Sequence, residues 1–189
     1  MFERFRALAL VLLLGFVSLP AAHAADEAIK DPENTLVMQL KDGRVVIQMR
    51  PDLAPHTVLR IKELVRRGYY DGAPFHRVIP KVMAQAGDTS GRGIGGSGFK
   101  IMAEFSGEHH VRGTVSMARA SDPNSADSQF FICLSDDSRK FDGRYTIWGQ
   151  VISGMEFVDQ IKVGDAFDDG KVVHPDHITW VKVAADLKE

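Results

Sequence analysis

The residues that could do chemistry concentrate between Phe75 and Asp88, where an arginine lies inside otherwise apolar, β-prone sequence. A short run on each side of Pro80 mixes apolar and polar residues at roughly strand spacing. Alternate side chains of adjacent strands reach the same face, so Arg77, Met83 and Gln85 are predicted to project toward one surface. This pattern indicates a functional site rather than only a core.

Metal binding and hydrolysis are two other chemistries to consider, and the sequence supports neither. His109-His110 and the pair His174 and His177 resemble clusters, but adjacent loop histidines diverge and no cysteine or carboxylate lies at ligand spacing. There is no Gly-x-Ser-x-Gly elbow, and no base is evidently paired with a serine. The acid pairs 136–137 and 168–169 lie in polar, turn-like sequence, where solvated carboxylates are the usual case. We therefore expect no metal and no cofactor.

The glycine-rich segment 87–98 contains a formal match to a dinucleotide-binding fingerprint, from Gly91 to Gly96. That motif requires a strand leading directly into a helix, whose N–H groups face the pyrophosphate. Ser97-Gly98-Phe99 opens no helix, so we interpret the segment as a flexible surface loop.

Charge and length set the class of protein. The formal net charge is −2, and no basic stripe with interleaved aromatic residues occurs, so nucleic acid is not an expected partner. Without its leader the chain would have about 165 residues, which suits one domain with a substantial core.

The N-terminus has the pattern of a cleaved export signal. Arg4 and Arg6 precede an apolar run over residues 7–17, and Ala22-His23-Ala24 places small residues where a signal peptidase reads them. We expect residues 1–24 to be removed. The apolar run is too short for a membrane anchor, and no later segment approaches the length of a span.

A single cysteine, Cys133, excludes a disulfide within the chain. It lies in an apolar run that reads as a buried strand, and no basic neighbour is present to lower its pKa. We expect an inert core thiol.

The elements that must position the site are short strands and two helices. Residues 25–34 are expected to be a loose lead-in to a domain over residues 35–189. One helix is predicted from Pro55 to a stop at Gly68, and a shorter one from Met155 to Gly164. Many short strands with tight turns favour a closed or nearly closed antiparallel barrel. Besides the two runs around Pro80, the predicted strands are residues 36–40, 45–49, 113–117, 129–134, 145–151 and 177–183.

A family resemblance rests on four motifs that occur in order. Phe75-His-Arg-Val-Ile-Pro is followed by Met83-Ala-Gln-Ala-Gly-Asp, then Ser116-Met-Ala, then Ser128-Gln-Phe-Phe-Ile. From about Asn34 to Val183 the chain resembles the cyclophilin family of peptidyl-prolyl cis/trans isomerases. The resemblance implies a closed, eight-stranded antiparallel β-barrel capped by two α-helices.

The resemblance also implies a mechanism without a covalent intermediate. Rotation about an X–Pro bond requires the proline nitrogen to leave its planar, conjugated state, behind a barrier of about 20 kcal/mol. Arg77 matches the family's catalytic arginine, a cation beside that nitrogen, and Gln85 matches the residue that orients it. The residues that match the substrate groove are Phe75, Val82, Met83, Ala118, Arg119, Ala120, Gln129, Phe131, Ile132, Phe141 and Tyr145.

Four positions depart from the family pattern. Val82 stands where the family often has phenylalanine, which predicts a shallower proline pocket and a lower rate. Lys140 lies near the place of a tryptophan that binds cyclosporin in some members, so we expect weak cyclosporin binding. Phe141 replaces a leucine, and Tyr145 replaces a histidine while keeping an aromatic wall with a polar tip.

Two functions remain open from the sequence. The chain either isomerises X–Pro bonds in exported, folding polypeptides, or holds proline-containing peptides in the same groove with negligible turnover, as a binding or chaperone module. Arg77 and Gln85 favour the enzyme, whereas Val82 keeps the binding module open. The short leader, the single cysteine and the compact loops resemble bacterial periplasmic members, so we expect a periplasmic protein without a membrane anchor. No extended apolar stripe is left over in the sequence, so we also expect a monomer.

Overall fold

The computed structural model describes residues 29–187, so the predicted leader over residues 1–24 lies outside the described part. One eight-stranded antiparallel sheet has the strand order β3-β4-β6-β5-β7-β2-β1-β8. The strands are β1 Thr35–Gln39, β2 Arg44–Met49, β3 Arg77–Ile79, β4 Met83–Ala86, β5 Thr114–Met117, β6 Phe130–Cys133, β7 Ile147–Ser153 and β8 Trp180–Val183. The helices are α1 Pro55–Arg66 and α2 Met155–Asp159.

The sheet is open, so the prediction of a closed barrel is wrong. Within residues 29–187, the two edge strands β3 and β8 form no ladder with each other. Loops satisfy their outer edges instead: Val78 N donates to Gly170 O (2.7 Å), and Val181 N donates to Asp71 Oδ1 (3.0 Å). Covered edges do not require closure to avoid exposed backbone groups.

Helix α1 begins at Pro55, as predicted, and ends two residues before Gly68, whose φ of 68° is typical of a left-handed helix stop. Its N-terminal N–H groups are capped by a carboxylate from a distant loop. Glu104 accepts hydrogen bonds from His56 N (3.0 Å) and Thr57 N (2.8 Å). A negative charge there also complements the helix dipole. The apolar face, Val58, Ile61, Leu64 and Val65, is buried in the core.

The second helix is shorter than predicted, because α2 ends at Asp159 rather than near Gly164. The lead-in is also more ordered than expected. Pro32–Asn34 forms a 3-10 turn, and Glu33 pairs with Lys62 (3.0 Å) and Arg66 (3.3 Å) on α1. Residues 31–34 are therefore attached to the helix.

The main core contains buried side chains of the sheet and of α1. Trp148, Tyr70 and Phe75 are among its largest fully buried side chains. No helix within residues 29–187 combines the length and the apolar character needed to cross a membrane.

Candidate active site

The central strands β4 and β6 place alternate side chains on two different apolar clusters. Ala84, Ala86, Phe130 and Ile132 belong to the main core. Met83, Phe131 and Cys133 form a second cluster on the opposite face. Because successive strand residues point to opposite faces, these two strands supply both a core and a site.

Met83 and Phe131 of the second cluster line a groove of about 360 Å³. Met83 and Phe131 are each 4% exposed. The Phe131 ring lies 5.1 Å from that of Phe141 and 5.3 Å from that of Tyr145, measured between centroids. The groove residues are Arg77, Ile79, Val82, Met83, Gln85, Ala118, Arg119, Phe131, Lys140, Phe141, Tyr145 and Asp169. This volume falls in the range of small-molecule and peptide side-chain sites.

Arg77 lies on the edge strand β3, at one side of this groove. It pairs with Gln85 across the β3–β4 ladder, and its Nη1 donates to Gln85 Oε1 (3.1 Å). Its Nε donates to the backbone oxygen of Asp169 (2.9 Å), and its Nη2 donates to Asp169 Oδ1 (2.8 Å). A guanidinium has five N–H donors, so two remain available.

The amide of Gln85 continues a chain of hydrogen bonds away from Arg77. Gln85 Nε2 donates to Gln129 Oε1 (2.8 Å), and Gln129 Nε2 donates to Gly95 O (2.8 Å) and Gly93 O (3.1 Å). The guanidinium is thereby connected, through two side chains, to the glycine-rich loop.

That loop opens no helix, as predicted, but two buried carboxylates hold its path. Asp127 accepts from Ser97 N (2.7 Å) and Gly98 N (3.0 Å). Asp88 accepts from Ser90 N (2.8 Å) and Gly95 N (3.0 Å). Burial would raise the pKa of Asp88, but hydrogen bonds from the Ser90 side chain and the loop backbone lower it to about 2. These contacts indicate an ordered loop, contrary to the prediction of a flexible one.

A second pocket of about 310 Å³ adjoins the first and shares Gln85, Ala118 and Arg119 with it. Ala120 and Gln129 line this second pocket. The Arg119 guanidinium lies 5.0 Å from the centroid of the Tyr145 ring, between the two pockets. The two pockets thus form a continuous groove.

An Asp142–His110–Ser116 relay lies behind the aromatic wall, with His110 and Ser116 buried and Asp142 partly exposed. Asp142 Oδ1 accepts from His110 N (2.7 Å) and lies 2.9 Å from His110 Nδ1, while Ser116 Oγ lies 2.9 Å from His110 Nε2. The imidazole is stacked on Phe131 at 6.2 Å between centroids. The expectation that no base is paired with a serine is therefore wrong.

The relay is nevertheless no hydrolase site, because Ser116 and His110 are both fully buried. Burial lowers the pKa of His110, against the opposing effect of Asp142. Burial would raise the pKa of Asp142, but hydrogen bonds from the His110 backbone and from both neighbouring imidazoles lower it to about 2. The hydrogen bonds of the relay hold the His110 ring against Phe131, which lines the groove.

The family comparison identifies the family to which this fold belongs. A model of the family described as cyclophilin type peptidyl-prolyl cis-trans isomerase/CLD matches residues 35–183. The chain belongs to this family. A probable peptidyl-prolyl cis-trans isomerase of Brucella suis is 48% identical over 185 residues, covering 92% of this chain and 94% of the relative. Peptidyl-prolyl cis-trans isomerase B of Bacillus subtilis is 38% identical over 136 residues, covering 70% of this chain and 94% of the relative. The chain is an enzyme of this class.

Solved cyclophilin structures are similar to most of this chain. Cyclophilin AquaCyp293 from Hirschia baltica matches with a TM-score of 0.74 and 26% identity, over 84% of this chain and 76% of its own. A cyclophilin-type isomerase of Cryptosporidium parvum, crystallised in the presence of the dipeptide Ala-Pro, matches with a TM-score of 0.71 and 26% identity, over 79% of this chain and 98% of its own.

Most of the predicted site residues of this isomerase lie together, but two do not. Phe75 and Ile132 are 0% exposed and belong to the main core, so neither lines the groove. Ile132 follows Phe131 on one strand and must face the opposite side. Cys133 is buried as predicted, and burial raises the pKa of its thiol to about 12.

Sequence reasoning missed Ile79 and Asp169 in the first pocket. In the second pocket it missed Gly93, Ile94, Gly95, Lys100, Ser125 and Asp127. Ile79 could have been found, because it is two residues from Arg77 on the same strand. For Asp169 the sequence predicts a solvated acid in a turn, and no local pattern links it to Arg77. Within residues 29–187, no group of three or more His, Cys, Asp or Glu side chains is placed to hold a metal ion.

Proposed function

We propose that this isomerase accelerates X–Pro rotation in exported, folding polypeptides by a hydrogen bond from Arg77 to the proline nitrogen. The observation that carries the proposal is that a guanidinium with unused donors and an aromatic pocket share one groove. A substrate proline ring packs against Met83 and Phe131, which brings its nitrogen toward Arg77.

The hydrogen bond acts on the transition state more than on the ground state. A planar amide nitrogen is a poor acceptor because its lone pair is delocalised, whereas a twisted, pyramidal nitrogen recovers that lone pair. A donor aimed at this nitrogen therefore lowers the barrier to rotation. A guanidinium is a permanent cation. The hydrogen bond to Gln85 holds the guanidinium of Arg77 at the edge of the groove. No nucleophile, cofactor or proton transfer is required.

The alternative, a peptide-binding or chaperone module with negligible turnover, uses the same groove. Val82, which lines it, leaves less apolar contact for the ring than a phenylalanine would. The oriented guanidinium favours catalysis, since binding an apolar ring alone does not require a cation. The Cryptosporidium relative crystallised with Ala-Pro supports proline-containing peptides as ligands of this groove.

The test is the cis-to-trans rate of a short Ala-Pro-Phe-containing peptide with the mature protein, Arg77→Ala and Arg77→Lys. Loss of one positioned donor typically costs about 10²-fold or more in kcat. We expect that loss for Arg77→Ala, and a large loss for Arg77→Lys, because an ammonium lacks the planar fork. Arg66→Ala, which removes a surface arginine of α1, is the control and should keep the wild-type rate. Equal rates for wild type and Arg77→Ala, with both folded, would refute the role of Arg77.

Export, subunit state and drug response are parts of the proposal with separate tests. Expression of the full chain in a bacterium should give a periplasmic product that begins at Ala25, and retention of Met1 would contradict export.

We further propose a monomer, which sedimentation measures. Weak cyclosporin binding follows from Lys140 at the rim of the groove, and titration of the drug against the isomerase rate tests it.

A further inference from the structure

The 164–172 loop is fastened to the strand that carries Arg77. Val78 N donates to Gly170 O (2.7 Å), and Gly164 N donates to Val78 O (2.9 Å). Arg77 itself forms an isolated β-bridge with Lys171. A Cβ on Gly170, whose φ is 79°, would lie 2.6 Å from an Ile79 side-chain carbon. The loop and β3 therefore form one closely packed unit.

Asp169 occupies the position in this loop that faces Arg77. Its φ of 48° is in the left-handed region, which Asp and Asn tolerate better than most residues. This conformation directs both its backbone oxygen and its carboxylate at one edge of the guanidinium, at 2.9 Å and 2.8 Å. A non-glycine residue held in that region at a functional groove indicates a function for the conformation.

We infer that Asp169 is a positioning residue for the isomerase reaction, which fixes Arg77 so that its remaining donors face the substrate. The inference rests on the proposed function of Arg77. Asp169 takes the Nε and one Nη2 donor, and Gln85 takes one Nη1 donor. One N–H is then left on each terminal nitrogen. Two partners on different sides prevent the guanidinium from turning, so the free donors keep their direction.

A purely structural role does not account for this contact. The Asp169 side chain is 78% exposed and that of Arg77 is 32% exposed, and exposed ion pairs add little to stability. The backbone bonds of Val78 already attach the loop to β3 without the carboxylate. Loss of the Asp169 side chain should thus change catalysis more than folding.

The test compares Asp169→Gly and Asp169→Asn in the mature protein. Glycine keeps the positive φ and removes the side chain, whereas asparagine keeps an acceptor oxygen without the charge. Asp168→Asn is the matched control, because Asp168 is the adjacent exposed acid and its carboxylate pairs with Lys171 at 3.7 Å. Values of kcat and KM on the Ala-Pro-Phe-containing peptide are measured together with thermal unfolding.

For Asp169→Gly we expect kcat to fall about 10- to 100-fold with KM within about twofold, since small misplacement of a catalytic group has effects of this size. Asp169→Asn should stay within about threefold of wild type, because the acceptor position is kept, and Asp168→Asn should match wild type. Unchanged kcat in Asp169→Gly would overturn the inference. A loss in Asp169→Asn equal to that in Asp169→Gly would also overturn it.

A double-mutant cycle separates this inference from the proposed function. If Asp169 acts through Arg77, adding Asp169→Gly to Arg77→Ala leaves the residual rate unchanged. A further loss in the double variant would show that Asp169 acts by another route and would overturn the inference. If Arg77→Ala alone keeps full activity, the proposed function fails. If Arg77→Ala is inactive while Asp169→Gly is fully active, only the positioning role fails.

Discussion

Removal of the Asp142 carboxylate should destabilise the fold, because the buried His110 would lose its acceptor. Asp142 accepts from the backbone N–H of His110 at 2.7 Å and lies 2.9 Å from its ring Nδ1. His110 is 0% exposed, so Asp142→Ala leaves two buried donors without that acceptor. Each unsatisfied donor costs about 1–3 kcal/mol. The exposed contact with His109 adds little. We expect Asp142→Ala to lose about 2–6 kcal/mol of unfolding free energy.

The measurement is urea denaturation at neutral pH, together with thermal unfolding. For a domain of this size the loss corresponds to a fall in Tm of about 2–4 °C per kcal/mol. Asp142→Asn keeps an oxygen that accepts both bonds, so it should lose no more than about half as much. Asp137→Ala, an exposed acid of the same surface segment, should stay within about 0.5 kcal/mol of wild type. Equal midpoints for Asp142→Ala and Asp137→Ala would refute the reasoning.

Two further predictions concern pH and helix capping. Burial lowers the pKa of His110 below its ordinary 6.5, so the unfolded chain binds a proton first as the pH falls. Its contribution to the unfolding free energy is therefore intact above about pH 7 and declines below 6.5, which denaturation at about pH 7.5 and about pH 5.5 measures. His110→Gln should show a smaller decline between these two pH values, and an unchanged decline would contradict this account. Glu104→Ala removes the acceptor for His56 N and Thr57 N and should cost about 1–2 kcal/mol, with faster hydrogen exchange in the first turn of α1. Slow exchange there in the variant would contradict the capping role.

Local periodicity was sufficient to predict the strand pair at the centre of the site. Arg77, Met83 and Gln85 were expected on one face, and the β3–β4 register places Arg77 opposite Gln85 and Ile79 opposite Met83. The same rule, applied consistently, would have excluded Ile132, because it is the strand neighbour of Phe131. Ile132 was assigned from the family resemblance, which matches neighbouring positions and does not indicate which face of the strand each side chain occupies.

Local periodicity does not predict long-range contacts between loops. Asp169 meets Arg77 across 92 positions, and Asp127 meets Ser97 across 30. In each case a short acid in a polar, turn-like segment is indistinguishable in sequence from a solvated one. Which of these acids has a hydrogen-bond partner depends on how distant segments of the chain fold against each other. The contact of Asp127 with the glycine-rich loop was missed for this reason.

The open sheet and the environment of Arg77 have one physical cause. In a closed barrel the outer edge of β3 would pair with another strand, and its backbone groups would have no bonds left for a loop. Here β3 is short, and its outer edge bonds to the 164–172 loop at Val78. A loop can place a residue at positive φ against the edge, which a regular strand cannot. The loop that covers the edge therefore also supplies Asp169 to Arg77, so protection of the sheet edge and orientation of the guanidinium come from the same segment.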